Sequence, residues 1–514
     1  MDVTKTAVTN TPIKSVVIVG GGTAGWMTAA ALSHHFQRMP VQITLVESSQ
    51  LGTIGVGEAT IPTLRRFYQR LGFSDIDVLK ATNATCKLGI EFKNWRTLGS
   101  SFIHPFGLFG QHINQIPFHH YWQKLHQLGD PTELADYSLG INLAKHNKFC
   151  LTDPNPKSEL HIFDWALHFD ASLFAGLMRD YALSHGVVHL DAKIDQVQLQ
   201  PQTGEIQLLQ LDNQQQQAGD LFIDCSGFKA MLIEGALATG YEDWSQWLFC
   251  DKAVALQSTL DGPPIPRTVS TAHQAGWQWT IPLQHRQGNG HVYCSRYISD
   301  DEATATLLQN ISGKPLHQPR AFSFVPGRRK KAWNNNCIAV GLSSGFLEPL
   351  ESTSIALVET AIEKIILSFP KPEYSQQQID RFNEVTMLEY ERVRDFIILH
   401  YKANQRDDSA MWRDCRQMAV PDMLAEKISI FKRSGEIRRY PWEIFGADSW
   451  LAVFSGLGLL PDSYHPEVDR LPLPLLQQQL SSMRQQIRTM VQAVPDHEQF
   501  LTRFCGFSPE KAMA

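Results

Sequence analysis

No apolar stretch in this 514-residue sequence approaches the roughly 20 residues that a membrane-spanning helix needs. The first dozen residues are polar and have none of the apolar centre of a secretory signal. The eight cysteines, from Cys86 to Cys505, form no CxxC pair and have no histidine partner at metal-ligand spacing. They read as reduced thiols, so neither a disulfide framework nor a metal centre is expected. Excess positive charge is missing too. With 46 Lys and Arg against 52 Asp and Glu, the formal net charge is −6, which argues against a nucleic-acid surface. The longest basic run, Arg328-Arg329-Lys330-Lys331, reads as a solvated loop between a Pro-Gly turn and Trp333. There is no internal repeat, and the glutamine tract at 214–217 is long enough only for a turn. The expectation is a soluble cytoplasmic protein that binds neither membrane nor nucleic acid.

What is present is a globular composition, 43% hydrophobic and 19% charged. The length allows two or three domains, or one large α/β body with an appended subdomain. Residues 14–47 read as a βαβ unit: strand Ser15–Val19, glycine turn Gly20–Gly25, helix Trp26–Arg38 and strand Val41–Val46. Short strands and aromatic loops follow between about 85 and 125. A helix at Ala171–His185 leads to strands near Val187–Leu190 and Asp195–Gln200, then to a hairpin and the strand Leu221–Asp224. Residues 250–325 carry alternating strands, expected to be interrupted at Gly262–Pro264 and Gly288–Gly290. Strand Cys337–Val340 runs through a glycine-serine turn into a helix from Thr353 to Leu367. Beyond Pro372 the pattern is helical, strongest in Ile379–Ala403 and Pro472–Ala493. The expected organisation is a discontinuous nucleotide-binding body over 14–370, with β-rich insertions near 85–125 and 240–330. A helical subdomain over 371–514 completes it.

Gly20-Gly21-Gly22-Thr23-Ala24-Gly25 fits G-x-G-x-x-G between a strand and a helix, the context that gives the pattern its meaning. Glycines there permit a tight turn and close approach of the backbone to a pyrophosphate at the helix N-terminus. Glu47, closing the second strand, is placed to accept hydrogen bonds from a ribose. A hydrophobic strand ending in Asp224-Cys225-Ser226-Gly227 and a late strand–glycine–helix element at Ala339–Ile355 favour FAD over NAD.

Three further segments carry chemistry but leave alternatives open. Ser352, Thr353 and Ser354 open a helix, where hydroxyls cap free N–H groups or leave those groups to hold an anion. Glu351 beside them is either a first-turn charge, a proton acceptor or a substrate anchor. In Thr85–Phe92, alternation puts Leu88, Ile90 and Phe92 on one face, which leaves Lys87 as a solvent-facing strand residue. In Trp277-Gln-Trp-Thr-Ile-Pro282, Trp277, Trp279 and Ile281 share a face and Pro282 ends the ladder. By itself that is an aromatic core strand.

The segments VGGGTAGWM (19–27), GVGEATIP (55–62), NATCKLGIEFKNW (83–95), WQWTIP (277–282) and EPLESTSI (348–355) together resemble the flavin-dependent tryptophan halogenases. The resemblance runs in family order from about residue 14 to 400. It implies a monooxygenase-like FAD body with a helical C-terminal part holding an aromatic substrate. Reduced FAD would come from a separate flavin reductase. The implied activity uses reduced FAD, oxygen and chloride or bromide to make hypohalous acid. Matched by position, the resemblance implies that Lys87 relays the oxidant. It implies that Glu351 assists delivery and takes the ring proton, and that the backbone at Thr353 and Ser354 holds the halide beside Ser352. His104 and Phe106 match walls of the substrate site. Gly20, Gly22, Thr23, Ala24, Gly25, Glu47, Ala59, Leu342 and Ile355 fall at FAD-contacting places. Trp277, Trp279, Ile281 and Pro282 become a partition between flavin and substrate.

Two departures matter. Ser354 stands where tryptophan-specific members usually carry glycine, which leaves chloride against bromide open. Residues 437–454 offer no recognisable clamp for a free amino acid. An indole, tryptophan or another electron-rich aromatic, free or carrier-bound, is therefore compatible, as is a homodimer. The rival readings are an FAD-dependent aromatic hydroxylase, which has no need of Lys87 with Glu351, and a non-catalytic FAD-binding protein.

Overall fold

The computed structural model describes residues 13–50, 57–369 and 375–508. Its centre is a six-stranded sheet in the order Trp333–Asn334, Cys337–Ala339, Leu221–Asp224, Ser15–Val19, Gln42–Glu47 and Val188–Asp191. All pairings are parallel except the short Trp333–Asn334 edge. A central parallel strand is buried on both faces and needs apolar residues at every position. Ser15–Val19 meets that need by splitting its valines and isoleucine between two cores. Val16 and Ile18 join the main cluster, while Val17 and Val19 join a smaller one under the sheet Ile194–Leu199, Ile206–Leu211 and Gln216–Ala218.

The helix Thr23–His35 packs between Ala171–Ser184 and Ser354–Ser368, so the glycine turn and the late serine-rich helix start lie at one end of the sheet. The βαβ unit, the Ala171 helix and the two long C-terminal helices fall where the sequence pattern puts them. The glutamine tract is only half a turn, because Gln216 and Gln217 pair with Ile206–Leu211 as the strand Gln216–Ala218. The division expected at 370/371 and the first two residues of GVGEATIP lie outside the described residues.

A seven-stranded, mostly antiparallel sheet forms the second layer and contains the tryptophan strand Gly276–Pro282. The expected interruption at Gly288–Gly290 does not occur. Gln287–Tyr293 is one continuous strand paired with Gly276–Pro282 along its whole length. The glycine at 290 is there for space, because a Cβ would sit 2.1 Å from the Trp279 ring. The basic run also departs from expectation. Gly327–Arg329 is a strand, Arg328 is buried and pairs with Glu242, and Arg329 pairs with Glu234. Acidic partners from distant segments, invisible to a local charge count, turned a solvated loop into a paired strand.

The chain beyond 375 is helical. Ser375 and Gln378 form a capping box that opens the 27-residue helix Gln376–Lys402. Its buried face delivers Phe396, His400 and Tyr401 to the interior. Helices Phe118–Gln127 and Leu139–Lys145 pack on the late helix Leu473–Ala493. No helix among the described residues is long and apolar enough to cross a membrane, and no group of three metal-ligating side chains occurs among them.

Candidate active site

The glycine turn opens into a cavity of about 640 Å³. Gly20 has φ +108°, and a Cβ there would lie 2.3 Å from the Cys225 carbonyl oxygen. At Gly25 a Cβ would lie 1.8 Å from the Gly20 oxygen, so helix and strand touch only through glycine. Gly22, by contrast, faces open space, and as the helix N-cap it gives no side-chain hydrogen bond. The free N–H groups of that first turn therefore face the cavity, ready for an anionic group. Glu47 lines the wall, with Oε1 3.1 Å from His189 Nε2. Burial raises its pKa, against the pull of His189.

Of the residues expected at the cofactor, Gly20, Gly22, Thr23, Ala24, Glu47, Ala59, Leu342 and Ile355 line this groove, and Gly25 supports it from behind. Ser352, Thr353 and Ser354 also line it. Thr353, the N-cap of Ser354–Ser368, makes no side-chain cap, so this second helix start likewise keeps uncapped N–H groups. The long groove, two uncapped helix starts and glycines that admit close backbone approach fit a flavin dinucleotide.

Trp277, Trp279 and Ile281 form one wall of the groove, with the two indoles 6.1 Å apart. Pro282 lies beyond it and uses its carbonyl to accept from Thr85 Oγ1 at 2.6 Å.

Lys87 and Glu351 do not line the groove. Lys87 ends the strand Thr85–Lys87, which belongs to a three-stranded sheet with Gly57–Ala59 and Ala166–Asp170. Gly89–Lys93 belongs to the seven-stranded sheet. The chain changes sheets at Leu88, so strand alternation does not carry across it. The expectation of a solvent-facing lysine is thereby corrected: Lys87 is 0% exposed. Its Nζ donates to Thr60 O at 2.8 Å and to Ser352 Oγ at 2.9 Å, and lies 5.3 Å from the Phe106 ring centre. Burial lowers the amine to about 7, with the Glu351 charge opposing the fall.

Glu351 is equally buried. His104 Nδ1 lies 2.9 Å from Oε2, and His400 Nε2 lies 2.8 Å from Oε1. Burial alone would raise this carboxyl, but the charges and hydrogen bonds of the two histidines outweigh it and hold it at about 2. His104 Nε2 has no hydrogen-bond partner and is enclosed by aromatic rings. Phe106, Phe396 and Phe445 have ring centres 6.3, 5.7 and 6.0 Å from that of His104. Ser352 joins the two regions, because it lines the groove and accepts from Lys87. Its backbone, at φ +59°, is left-handed, a conformation that residues with a Cβ hold only when their surroundings fix it.

Sequence reasoning missed His400, Phe396, Phe445 and Thr60. His400 and Phe396 looked like one face of a long amphipathic helix, and Phe445 lies in an irregular segment. The Thr60 contribution is a backbone carbonyl. None of these carries a local signature.

The sequence matches the family described as tryptophan halogenase over residues 15–473. A solved flavin-dependent halogenase from Brevundimonas sp. is 54% identical, with a TM-score of 0.93 and coverage of 96% of this chain and 99% of that one. One from Xanthomonas campestris is 42% identical, with the same TM-score and coverage. A 7-chloro-L-tryptophan 6-halogenase from Kutzneria sp. is 34% identical, with 96% of this chain and 99% of that protein covered.

Proposed function

This chain belongs to the tryptophan halogenase family and is a flavin-dependent halogenase, and on that premise we propose how its own residues divide the work and what they act on. The groove from Gly20 to Ile355 holds FAD, with the pyrophosphate on the Thr23–His35 helix start and Glu47 at the ribose. The uncapped start of Ser354–Ser368 holds chloride or bromide through the backbone at Thr353 and Ser354. Bound reduced flavin, recharged by a separate reductase, supplies with oxygen the two-electron oxidation that turns halide into hypohalous acid.

Lys87 receives that oxidant. As a neutral amine near pH 7 it takes the halogen, releasing water, and holds it as an N–halogen bond beside Phe106. The ring carbon of the substrate attacks the halogen, and the N–halogen bond breaks as the nitrogen takes up a proton, so that the amine leaves neutral. Glu351 takes the ring proton, which makes good the one given to the nitrogen. A carboxylate held at about 2 is a weak base, yet an arenium cation is a far stronger acid, so the transfer runs downhill. The ionised carboxylate also stabilises the developing cation. Trp277 and Trp279 keep the substrate ring away from the flavin, so halide is oxidised and the arene is not hydroxylated.

The substrate is an electron-rich aromatic, an indole or a tryptophan-like compound. The support is the aromatic cluster of His104, Phe106, Phe396 and Phe445 next to Glu351. The helical part from 375 onward, which brings Phe396, His400 and Phe445, acts as the substrate-binding subdomain. All eight cysteines are free thiols, which supports a reducing, cytoplasmic setting. The observation that carries the reading is the Lys87 Nζ, buried 2.9 Å from a serine that lines the flavin groove while Glu351 shares its chamber. Incubation with a flavin reductase, NADH, oxygen, bromide or chloride and an indole panel tests it by mass spectrometry. Halogenated indole is expected, and oxygen insertion alone would overturn the reading.

A further inference from the structure

Glu348 has no part in the steps above, yet it is 1% exposed. Its Oε1 accepts from Tyr401 Oη at 2.8 Å and from Trp277 Nε1 at 3.2 Å, and its Oε2 lies 3.1 Å from the same tyrosine hydroxyl. Its backbone is left-handed, φ +27°, which costs energy for any residue with a Cβ. Its neighbours Leu347 and Pro349 line the flavin groove, as Trp277 does. Tyr401 directly follows His400, which faces Glu351 in the other chamber. One carboxyl therefore ties the indole wall of the groove to the helix that brings His400 to Glu351.

We propose that Glu348 is a positioning residue that latches Trp277 to Tyr401 and keeps the passage between groove and chamber narrow, so that oxidant reaches Lys87 instead of escaping. The proposal rests on the partition reading given above. A buried acceptor shared by two donors fixes both, because loss of one contact leaves buried polar groups unpaired. Trp277 is held on its other sides by Trp95, 6.2 Å away, and by Trp279. The indole edge is fixed by Glu348. Burial pushes the Glu348 carboxyl up to about 8, against the hydrogen bonds from Tyr401 and Trp277. The titratable groups facing it are Tyr401 on the long helix, Cys250 before the strand Lys252–Ser258, and Cys415 on the helix Ala410–Gln417. All three are acids whose own pKa burial raises, and none supplies a cation. As pH rises from the ordinary carboxylate range to about 8, opening the latch to solvent lets the carboxyl ionise, so the latch loosens over that range and the loss is complete above it.

The test runs the full enzyme with a flavin reductase, NADH, oxygen, bromide and indole, plus a soluble 1,3-diketone in bulk solution that traps escaped hypobromous acid. In mildly acidic buffer the wild type is expected to brominate indole with little trapped oxidant, and the trapped share is expected to climb several-fold as pH rises to about 8 and to level off above it. Tyr401→Phe should raise the trapped share several-fold already in mildly acidic buffer, with the rate of flavin oxidation unchanged. Glu348→Gln keeps an acceptor for both donors and cannot ionise, so its trapped share should stay low and flat with pH. A Tyr401→Phe partition equal to wild type, or a Glu348→Gln profile that climbs as the wild type does, would overturn the latch. If Tyr401→Phe does not fold, the Glu348→Gln pH comparison decides alone. A wild type that oxidises bromide but brominates nothing would bring down the partition reading, and the latch with it. Wild-type bromination with both variants unchanged brings down the latch alone.

Discussion

The flavin groove and the lysine chamber are neighbours joined by one serine, and they are built on opposite terms. The polar recognition elements of the groove are largely backbone: the close-packed Gly20 and Gly25, and two helix starts with uncapped N–H groups, beside an indole wall. The chamber is side chains: a lysine, a glutamate and two histidines, each carried by a different segment, packed against phenylalanines. In the proposed reading the helix starts take the anionic part of the cofactor through backbone N–H groups, with Glu47 on the wall beside them. The chamber buries an amine and a carboxylate, and burial is what shifts the amine to about 7, the state in which we propose that it relays halogen. In that reading the groove provides binding and the chamber provides reactivity.

The sharpest way to break this contrast is Lys87→Ala. Product formation should fall by about 10² to 10⁴ or more, the usual weight of a lost proton-transfer or relay group. Reduced-flavin oxidation, followed by oxygen uptake, should continue. Full product yield would remove the lysine from the chemistry and reduce the chamber to packing. In the groove, Gly25→Ala forces a Cβ to within 1.8 Å of the Gly20 oxygen. Overpacking there should cost about 1–3 kcal/mol or more and weaken flavin binding, read by thermal unfolding and by flavin fluorescence titration. Unchanged flavin affinity would show that the turn has slack.

The wall between the two regions is tested by Gly290→Ala, whose Cβ would lie 2.1 Å from the Trp279 ring. A displaced indole should lower stability by about 1–3 kcal/mol and raise the share of oxidant lost to solution. A stable variant with wild-type product yield would show that the indole position is immaterial. The pH profile sharpens the chamber's side. A neutral-amine relay makes product formation rise with pH through about 7, whereas an ammonium acting only as a hydrogen-bond donor makes it fall. Stability follows the same groups. Lys87 is depressed in the fold, so the unfolded chain binds the extra proton between about 7 and the ordinary lysine value, and its contribution to stability rises with pH there. Glu351 stabilises above the ordinary carboxylate range, and that contribution is lost as pH falls towards about 2. The smallest effect is expected from Ser354→Gly. Stability should move by less than about 0.5 kcal/mol, and the change should appear only in the bromide-to-chloride product ratio.

The two regions also differed in how plainly they could be read. The Gly20–Gly25 turn, Glu47 and the Ser352–Ser354 helix start were legible because each is one continuous segment whose geometry follows from its own residue types. The tryptophan strand was legible as a shared face, since Trp277, Trp279 and Ile281 do form one wall. Lys87 was misread by periodicity because alternation holds only within one strand, and the chain changes sheets at Leu88. Gly288–Gly290 was misread as a break because a glycine kept for the Trp279 ring looks, in sequence, like a turn. Arg328 was misread because Glu242 stands far from it in the chain.

The sequence by itself determined the alternation of strands and helices, the phosphate-type turn and the family to which the chain belongs. These rest on local backbone preferences and on contiguous motifs. Only the tertiary structure decided that Lys87 is buried, that Glu351 sits between His104 and His400, and that Glu348 joins Trp277 to Tyr401. Desolvation and charge pairing depend on which distant side chains meet, and no local pattern of residues records that.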